Sequence, residues 1–331
     1  MFQEMTNGVL KDVYTELWGN GNNLPGLIEK TPGSEESFQF NIPNDICSDI
    51  KNIFEVGIDD FDIKFKESCF GQGNEYKEVN RLHSSALCAL LIFSGVSTSN
   101  PLILCLNGKE CEFSSVLFEY KNKVIGFPSN IDIVLVGKYK KESKSVILFL
   151  ESKFSEYLKS VSIFDELGRS YVRNKYSRII YNDSFLEEIG LQFCRKNNNE
   201  FEIFTKKKDG KLTDYYGFKV MDKETYLEGI KQMISHYVGI EHFVENDLKD
   251  VRKLHYCETD TDVYLGEILF DFSFETARVC LDTYSTYYKK LANKLNEINP
   301  SIHVVDEILK YSLFKENDYT LPQRVRNYYK L

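Results

Sequence analysis

Two stretches near the middle of the chain are apolar at nearly every position, IDIVLV at 131–136 and VILFL at 146–150, the second running straight into Glu151-Ser152-Lys153. Strands apolar on both faces belong in the middle of a sheet with helices on each side. The polar run Lys140-Lys141-Glu142-Ser143-Lys144 between them reads as the link of a hairpin. Extended segments are predicted at 102–106, 115–125, 131–139 and 145–153, punctuated by Asn107-Gly108 and Pro128-Ser129-Asn130. A helical period appears twice. Residues 75–93 carry apolar positions at 79, 82, 86, 87, 90 and 91 after the turn Gly71-Gln72-Gly73-Asn74, with Asn74 as N-cap. Residues 223–244 place Tyr226, Ile230, Met233, Ile234, Tyr237 and Ile240 on one stripe. A strand at 262–272 follows, and the chain from 274 onward reads as mainly helical.

The pattern divides the chain into three parts. Residues 1–70, with turn markers at Asn20-Gly21, Pro25-Gly26 and Pro32-Gly33, form an N-terminal subdomain or flap. Residues 71–272 form the core, interrupted at about 155–221 by an insertion of helix, hairpin and polar loop, with Lys206-Lys207-Lys208-Asp209-Gly210-Lys211 at the hairpin tip. Residues 273–331 form a C-terminal helical extension.

Composition narrows the classes. A chain of 331 residues can bury a full core, and 42% hydrophobic with 27% charged residues describes an ordinary folded protein. The net charge of -9 argues against a protein that grips nucleic acid over its whole surface, while leaving a local basic groove open. Eight cysteines contain no CxxC pair, and five histidines show no HxH or HxxxH spacing, which argues against structural zinc. Cys88 in ALCALLIF and Cys105 in LILCL read as reduced core thiols, as in a reducing cytoplasm. MFQEMTNGVLKD lacks a basic segment followed by an apolar one, and the longest apolar run, 86–93, is far short of the roughly 20 residues that span a bilayer. The expectation is a cytoplasmic protein with no membrane partner.

Candidate chemistry sits on the predicted hairpin. Asp132 lies near the start of one strand, and Glu151 and Lys153 near the end of the other, so antiparallel pairing brings all three to one end of the sheet. Side chains alternate along a strand, so Glu151 and Lys153 share a face. The ExK spacing alone decides little, because Glu75-Tyr-Lys77, Glu119-Tyr-Lys121 and Glu142-Ser-Lys144 repeat it. The central triplet differs because its charges end a run of five apolar residues, where burial costs several kcal/mol without a metal or counter-charge. A half-buried Asp–Lys ion pair, or acids standing just outside the strand ends, would satisfy the same pattern.

The order helix, strand, Asp strand, ExK strand, helix, strand resembles the core of the PD-(D/E)xK nuclease superfamily over roughly residues 71–272. The resemblance rests on FPSNIDIVLVG, SVILFLESKF and GIKQMISHYVGI in that order, and on GQGNE ahead of the Asp strand, as in restriction-endonuclease-like proteins of bacteria. Ile131 stands where the family pattern has proline. The resemblance implies an α/β restriction-endonuclease-like core, a central mixed sheet flanked by helices, with an insertion and a C-terminal helical part.

For the site, the resemblance implies Mg²⁺, with Mn²⁺ as a substitute, held by Asp132, Glu151 and the carbonyl of Ser152, while Lys153 orients the attacking water. It further suggests Glu75, ahead of Glu78, as an acid from the first helix, and Gln232 as a contact to phosphate or to the ligands. His236, one turn from Gln232, reads more simply as a boundary histidine. The implied activity is endonucleolytic hydrolysis of DNA, with restriction or defence as its setting and a homodimer suited to cutting both strands. A catalytically inactive scaffold serving as a DNA-binding or regulatory protein is the alternative. Glu258, Asp260 and Asp262 alternate like calcium ligands but lack the glycine that such a loop needs, and read as a solvated loop. Arg195-Lys196 and the tail Arg324-Val325-Arg326-Asn327-Tyr328-Tyr329-Lys330 read as solvated surface.

Overall fold

The computed structural model describes residues 84–122, 129–159, 161–168, 183–196, 201–208, 210–246, 248 and 260–331, with short N-terminal pieces at 9, 12–13, 15–17, 28–30 and 38–40. In the N-terminal region, β1 (Ile28–Lys30) and β2 (Phe38–Phe40) pair antiparallel. The helix predicted at 75–93 starts at Ser85. This helix, α1 (Ser85–Phe93), is capped by Ser84, which is extended at φ -75°, ψ 120° and accepts a hydrogen bond from Leu87 N. A serine at the cap satisfies an orphan N–H and sets the start of α1 there, so the predicted continuous helix is interrupted at Ser84, and residues 75–83 lie outside the described residues. Glu75, Glu78 and the GQGN turn lie outside the described residues.

Four strands follow in the predicted places: β3 (Leu102–Leu106), β4 (Lys109–Asn122), β5 (Ser129–Tyr139) and β6 (Ser145–Lys153). They pair antiparallel in chain order. Asn107 and Gly108, with φ 47° and 80°, make the two-residue turn between β3 and β4, the geometry that matches strand twist in a tight hairpin. A register shift in β4 between Phe113 and Ser115 lies against Gly137 of β5. There a Cβ would stand 2.0 Å from the Glu112 carbonyl oxygen, so only glycine lets the two backbones approach. Every residue of β6 is buried. Cys105 is exposed rather than a core thiol, because β3 is the sheet edge and buries one face only.

The region 155–221 folds around a second sheet. It contains α2 (Glu156–Lys159), β7 (Val161–Ser162), β8 (Phe164–Gly168), α3 (Asp183–Glu188), β9 (Leu191–Phe193), β10 (Ile203–Lys208) and β11 (Lys211–Val220). Strands β10, β11 and β8 lie side by side, and β9 also pairs with β11. Lys208 and Lys211 close the β10–β11 hairpin as predicted.

The chain then returns through β12 (Thr225–Tyr226), which pairs with β7, and the long helix α4 (Leu227–Asn246). Next come β13 (Thr261–Leu269) and α5 (Glu275–Ile298). The C-terminal part, expected to be mainly helical, also supplies two short strands. After α5, β14 (Ile302–Val304) and β15 (Leu309–Lys310) both join β13 in parallel, followed by a 3₁₀ turn at Tyr311–Lys315 and α6 (Gln323–Tyr329). Strands of three and two residues are too short to carry a period. Their place is set by tertiary bonds, such as Asn296 clasping Val304 through both its backbone N–H and its carbonyl.

The result is a seven-stranded mixed sheet ordered β14-β13-β6-β5-β4-β3, antiparallel on one side of β6 and parallel on the other. Helix α4 packs on one face, where Phe243 meets Phe149 at 5.0 Å and Tyr120 at 5.8 Å. Helix α1 and the 3₁₀ turn pack on the other, where Phe93 meets Phe314 at 5.3 Å and Tyr311 bonds Ser152 Oγ at 2.8 Å. No helix among the described residues is long and apolar enough to cross a membrane.

Candidate active site

The β5–β6 ladder runs from Lys138↔Ser145 to Ile133↔Leu150. One step further, Asp132 faces Glu151, and there the backbone pairing stops. Instead the Ser152 N–H donates to Asp132 Oδ2 at 2.7 Å, so the aspartate side chain takes the place of a strand carbonyl and wedges the two strands apart. On the other side of Asp132, the pairs Phe118↔Ile133 and Tyr120↔Ile131 bracket Glu119. On the far side of β6, Glu151 is paired with Glu267 of β13. Three adjacent strands therefore set Asp132, Glu151 and Glu267 in one row, since residues opposite one another across a ladder share a face, and Glu119 lies close enough for its charge to act on Asp132. Glu119 holds φ at 49°, a left-handed conformation that costs on the order of 1–2 kcal/mol for a residue with a Cβ.

Lys153, two residues beyond Glu151, places Nζ 2.5 Å from Glu151 Oε1. His236 of α4 places Nε2 2.9 Å from Glu151 Oε2, without the alignment of a full hydrogen bond. Its Nδ1 lies 2.5 Å from Ser129 Oγ. The helix reaches the site because His236 and Phe243, seven residues apart, occupy one stripe, and Phe243 is anchored on Phe149 of the same strand face as Glu151. Glu151, Lys153 and His236 are all buried. At the far end of the row, Tyr284 of α5 donates to Glu267 Oε2 at 2.7 Å. Gly229 makes room for it, since a Cβ there would lie 2.4 Å from the tyrosine hydroxyl.

Asp132, Glu151 and Glu267 sit in different fields. Burial pushes Glu151 up, but Lys153 and His236 outweigh it and hold the carboxyl down at about 2. Burial pushes Lys153 down, and Glu151 together with Asp132 more than restores it, so the ammonium is held. Asp132 is raised well above the usual range, first by burial and then by the repulsion of Glu151 and Glu119, which Lys153 and the Ser152 N–H only partly offset. Glu267 is raised to about 8 by burial, against the opposing Tyr284 hydrogen bond, and its Oε1 has no partner among the described residues.

Sequence reading placed Asp132, Glu151 and Lys153 together, and the structure brings them together. Gln232 Oε1 accepts from Tyr226 OH at 3.5 Å, and Tyr226 lies close enough to Lys153 to act on its charge, while His236, one turn along from Gln232, is the residue that contacts Glu151. Glu75 lies outside the described residues. Ser152 contributes its N–H to Asp132 and its hydroxyl to Tyr311. Glu267 and Glu119 were not singled out. Glu267 carries the signal that marked Glu151, an acid inside an apolar run, here YLGEILF; Glu119 was visible only as one of several ExK repeats.

The weaker motifs resolve as structure. Asp260 and Asp262 both pair with Lys144, at 3.1 and 2.7 Å. Arg326 donates to the carbonyls of Phe314 and Tyr319, and Tyr328 and Tyr329 are buried. Among the described residues, no three His, Cys, Asp or Glu side chains gather as a metal-holding group. The chain matches no protein-family model, no curated protein and no solved structure.

Proposed function

We propose that this chain is a Mg²⁺-dependent nuclease with a restriction-endonuclease-like core, hydrolysing phosphodiester bonds of DNA at Asp132, Glu151 and Lys153. The observation that carries the reading is the wedge at the end of the β5–β6 ladder, where Asp132 and Glu151 converge on one face with the Lys153 ammonium beside them. Mg²⁺ is commonly held by one or two carboxylates, with water and substrate phosphate completing its shell. A donor set of two carboxylates therefore fits that ion. The repulsion that raises Asp132 adds to the fit, because a divalent cation between the two carboxylates turns that cost into attraction.

When bound, the ion would polarise the phosphoryl oxygen and acidify the attacking water. The chain's own groups divide the remaining work. Asp132, fixed by the Ser152 N–H, and Glu151, fixed by Lys153 and His236, present oxygens whose directions are set in advance. The Lys153 ammonium orients the water and neutralises charge that builds on the phosphate. His236, braced by Ser129, keeps Glu151 ionised and aimed.

One observation favours a second reading, a non-catalytic scaffold that binds DNA or regulates a partner: both Glu151 oxygens are already engaged, and Lys153 is only 6% exposed. Plasmid cleavage with Mg²⁺ or Mn²⁺ separates the two, with Asp132→Asn and Lys153→Ala beside the unaltered chain. Catalysis predicts that both variants lose cleavage by about a hundredfold or more, and that Asp132→Asn loses Mn²⁺ binding measured by water-proton relaxation. In EDTA, Asp132→Asn should be as stable as the parent or more so, because the amide still accepts from Ser152 while the repulsion is gone. A parent chain that neither cleaves nor binds Mn²⁺ would leave the scaffold reading in place.

A further inference from the structure

The β10–β11 hairpin has two unlike faces. One face, through Phe218 and Phe193, belongs to the core. On the other, strand alternation along β11 presents Lys211, Thr213, Tyr215, Gly217 and Lys219, with Phe204 and Lys206 of β10 and Phe164 of β8 alongside. The Phe164 and Phe204 rings meet over Gly217 at 5.5 Å, edge to face. A Cβ at that position would lie 2.7 Å from each ring, so the glycine is what lets both aromatics lie down across β11. Phe164, Phe204 and Tyr215 are half-buried and form a shelf, while Lys206, Lys211 and Lys219 are exposed and stand at its two ends. Lys206, Lys211 and Lys219 lie on that face of β10 and β11, with Glu166 of β8 paired to Gly217 between them, in a molecule whose net charge is -9.

We infer that this outer face is a nucleic-acid-binding surface, gripping the sugar–phosphate backbone with lysines at both ends of an aromatic shelf on which bases or sugars pack. The eight steps from Lys211 to Lys219 span roughly 27 Å along the strand. That reach covers about eight nucleotide steps along one strand of a duplex. Charge complementarity commits the occupant: a local cationic face on an acidic protein repels most of the proteome and attracts a polyanion. The interleaving of flat rings with lysines suits a backbone that also offers π-faces. Identifying the polyanion as DNA rests on the nuclease reading; the presence of the surface does not.

The test is fluorescence anisotropy of the full chain in EDTA, with a labelled random-sequence duplex and its single strand, across a salt series. Binding should weaken linearly in log salt. The triple variant Lys206→Ser, Lys211→Ser, Lys219→Ser should lower the slope of log K against log salt by roughly two to three, while the triple arginine variant keeps it. Tighter binding of the single strand assigns the shelf to base stacking, and equal binding assigns it to sugars; either supports the surface. An unchanged slope in the serine variant overturns the proposal. Equal loss in the serine and arginine variants does so as well, since charge would not be the cause, and so does an unaltered chain that binds neither probe. Cleavage is read separately with Mg²⁺, so cleavage can fail while binding in EDTA stands, and binding to this face can fail while cleavage stands.

Discussion

Glu267 shows how one side chain couples the site to stability. Its environment of β13, β6, α4 and α5 offers one donor, Tyr284, for two oxygens, and burial raises its carboxyl to about 8. The folded state therefore holds a proton that the unfolded chain gives up near the ordinary glutamate value. Glu267's contribution is full below that value, falls as pH rises through the window from there to about 8, and is spent above it. Glu151, held down at about 2 by Lys153 and His236, works in the opposite sense, stabilising above the ordinary value and failing as pH falls towards 2. Glu267→Gln removes the alkaline loss. Urea unfolding should find the variant close to the parent near pH 5 and more stable by a few kcal/mol near pH 9. A constant gap at all pH values would show that Glu267 is ionised in the fold. Of these residues, Asp132, Glu151 and Lys153 were legible because charge interrupting an apolar strand is costly; His236 was not, because its role comes from a helix packed across the sheet.

At the level of elements, the best-read strands were β5 and β6, whose unbroken apolar runs exclude an edge position, and α4, whose stripe is long enough to fix its phase. What escaped reading depended on contacts distant in sequence. The start of α1 at Ser85 is decided by one serine cap, where the period alone continued back to residue 75. The bulge of β4 was also invisible, although it sets the register that puts Glu119 beside Asp132. Gly137 is the hinge of that register, since its missing Cβ is what lets the Glu112 carbonyl approach. Gly137→Ala must therefore push β4 away from β5 by backbone movement rather than by a rotamer change. It is expected to cost about 3 kcal/mol or more. On the proposed nuclease reading it should also weaken Mn²⁺ binding at Asp132, which lies on the same strand. A variant with the parent's Tm and Mn²⁺ affinity would mean that the bulge relaxes freely and the row does not depend on it.

For the whole molecule, the C-terminal segment is part of the foundation rather than an extension. Through β14 and β15 it covers the outer edge of β13, and without it β13 would present an open row of backbone groups. Through the 3₁₀ turn it lays Tyr311 and Phe314 under α1, both fully buried, and Tyr311 bonds the hydroxyl of Ser152, the residue whose N–H fixes Asp132. Tyr319 donates to the Ile92 carbonyl at 2.7 Å, and Tyr329 packs on Phe154 and Phe270. Losing a buried aromatic side chain costs roughly 3–5 kcal/mol, so four of them are comparable to the roughly 5–15 kcal/mol that holds a typical domain together. A chain ending at Pro300 is therefore expected to lose cooperative unfolding and to aggregate through the bared edge, whereas Lys330 and Leu331 can be removed with little effect. Calorimetry of the two truncations decides the matter. A sharp transition in the shorter chain, near the parent's Tm, would make the tail an ornament, and the brace from Tyr311 through Ser152 to Asp132 would then have to be supplied by the sheet alone.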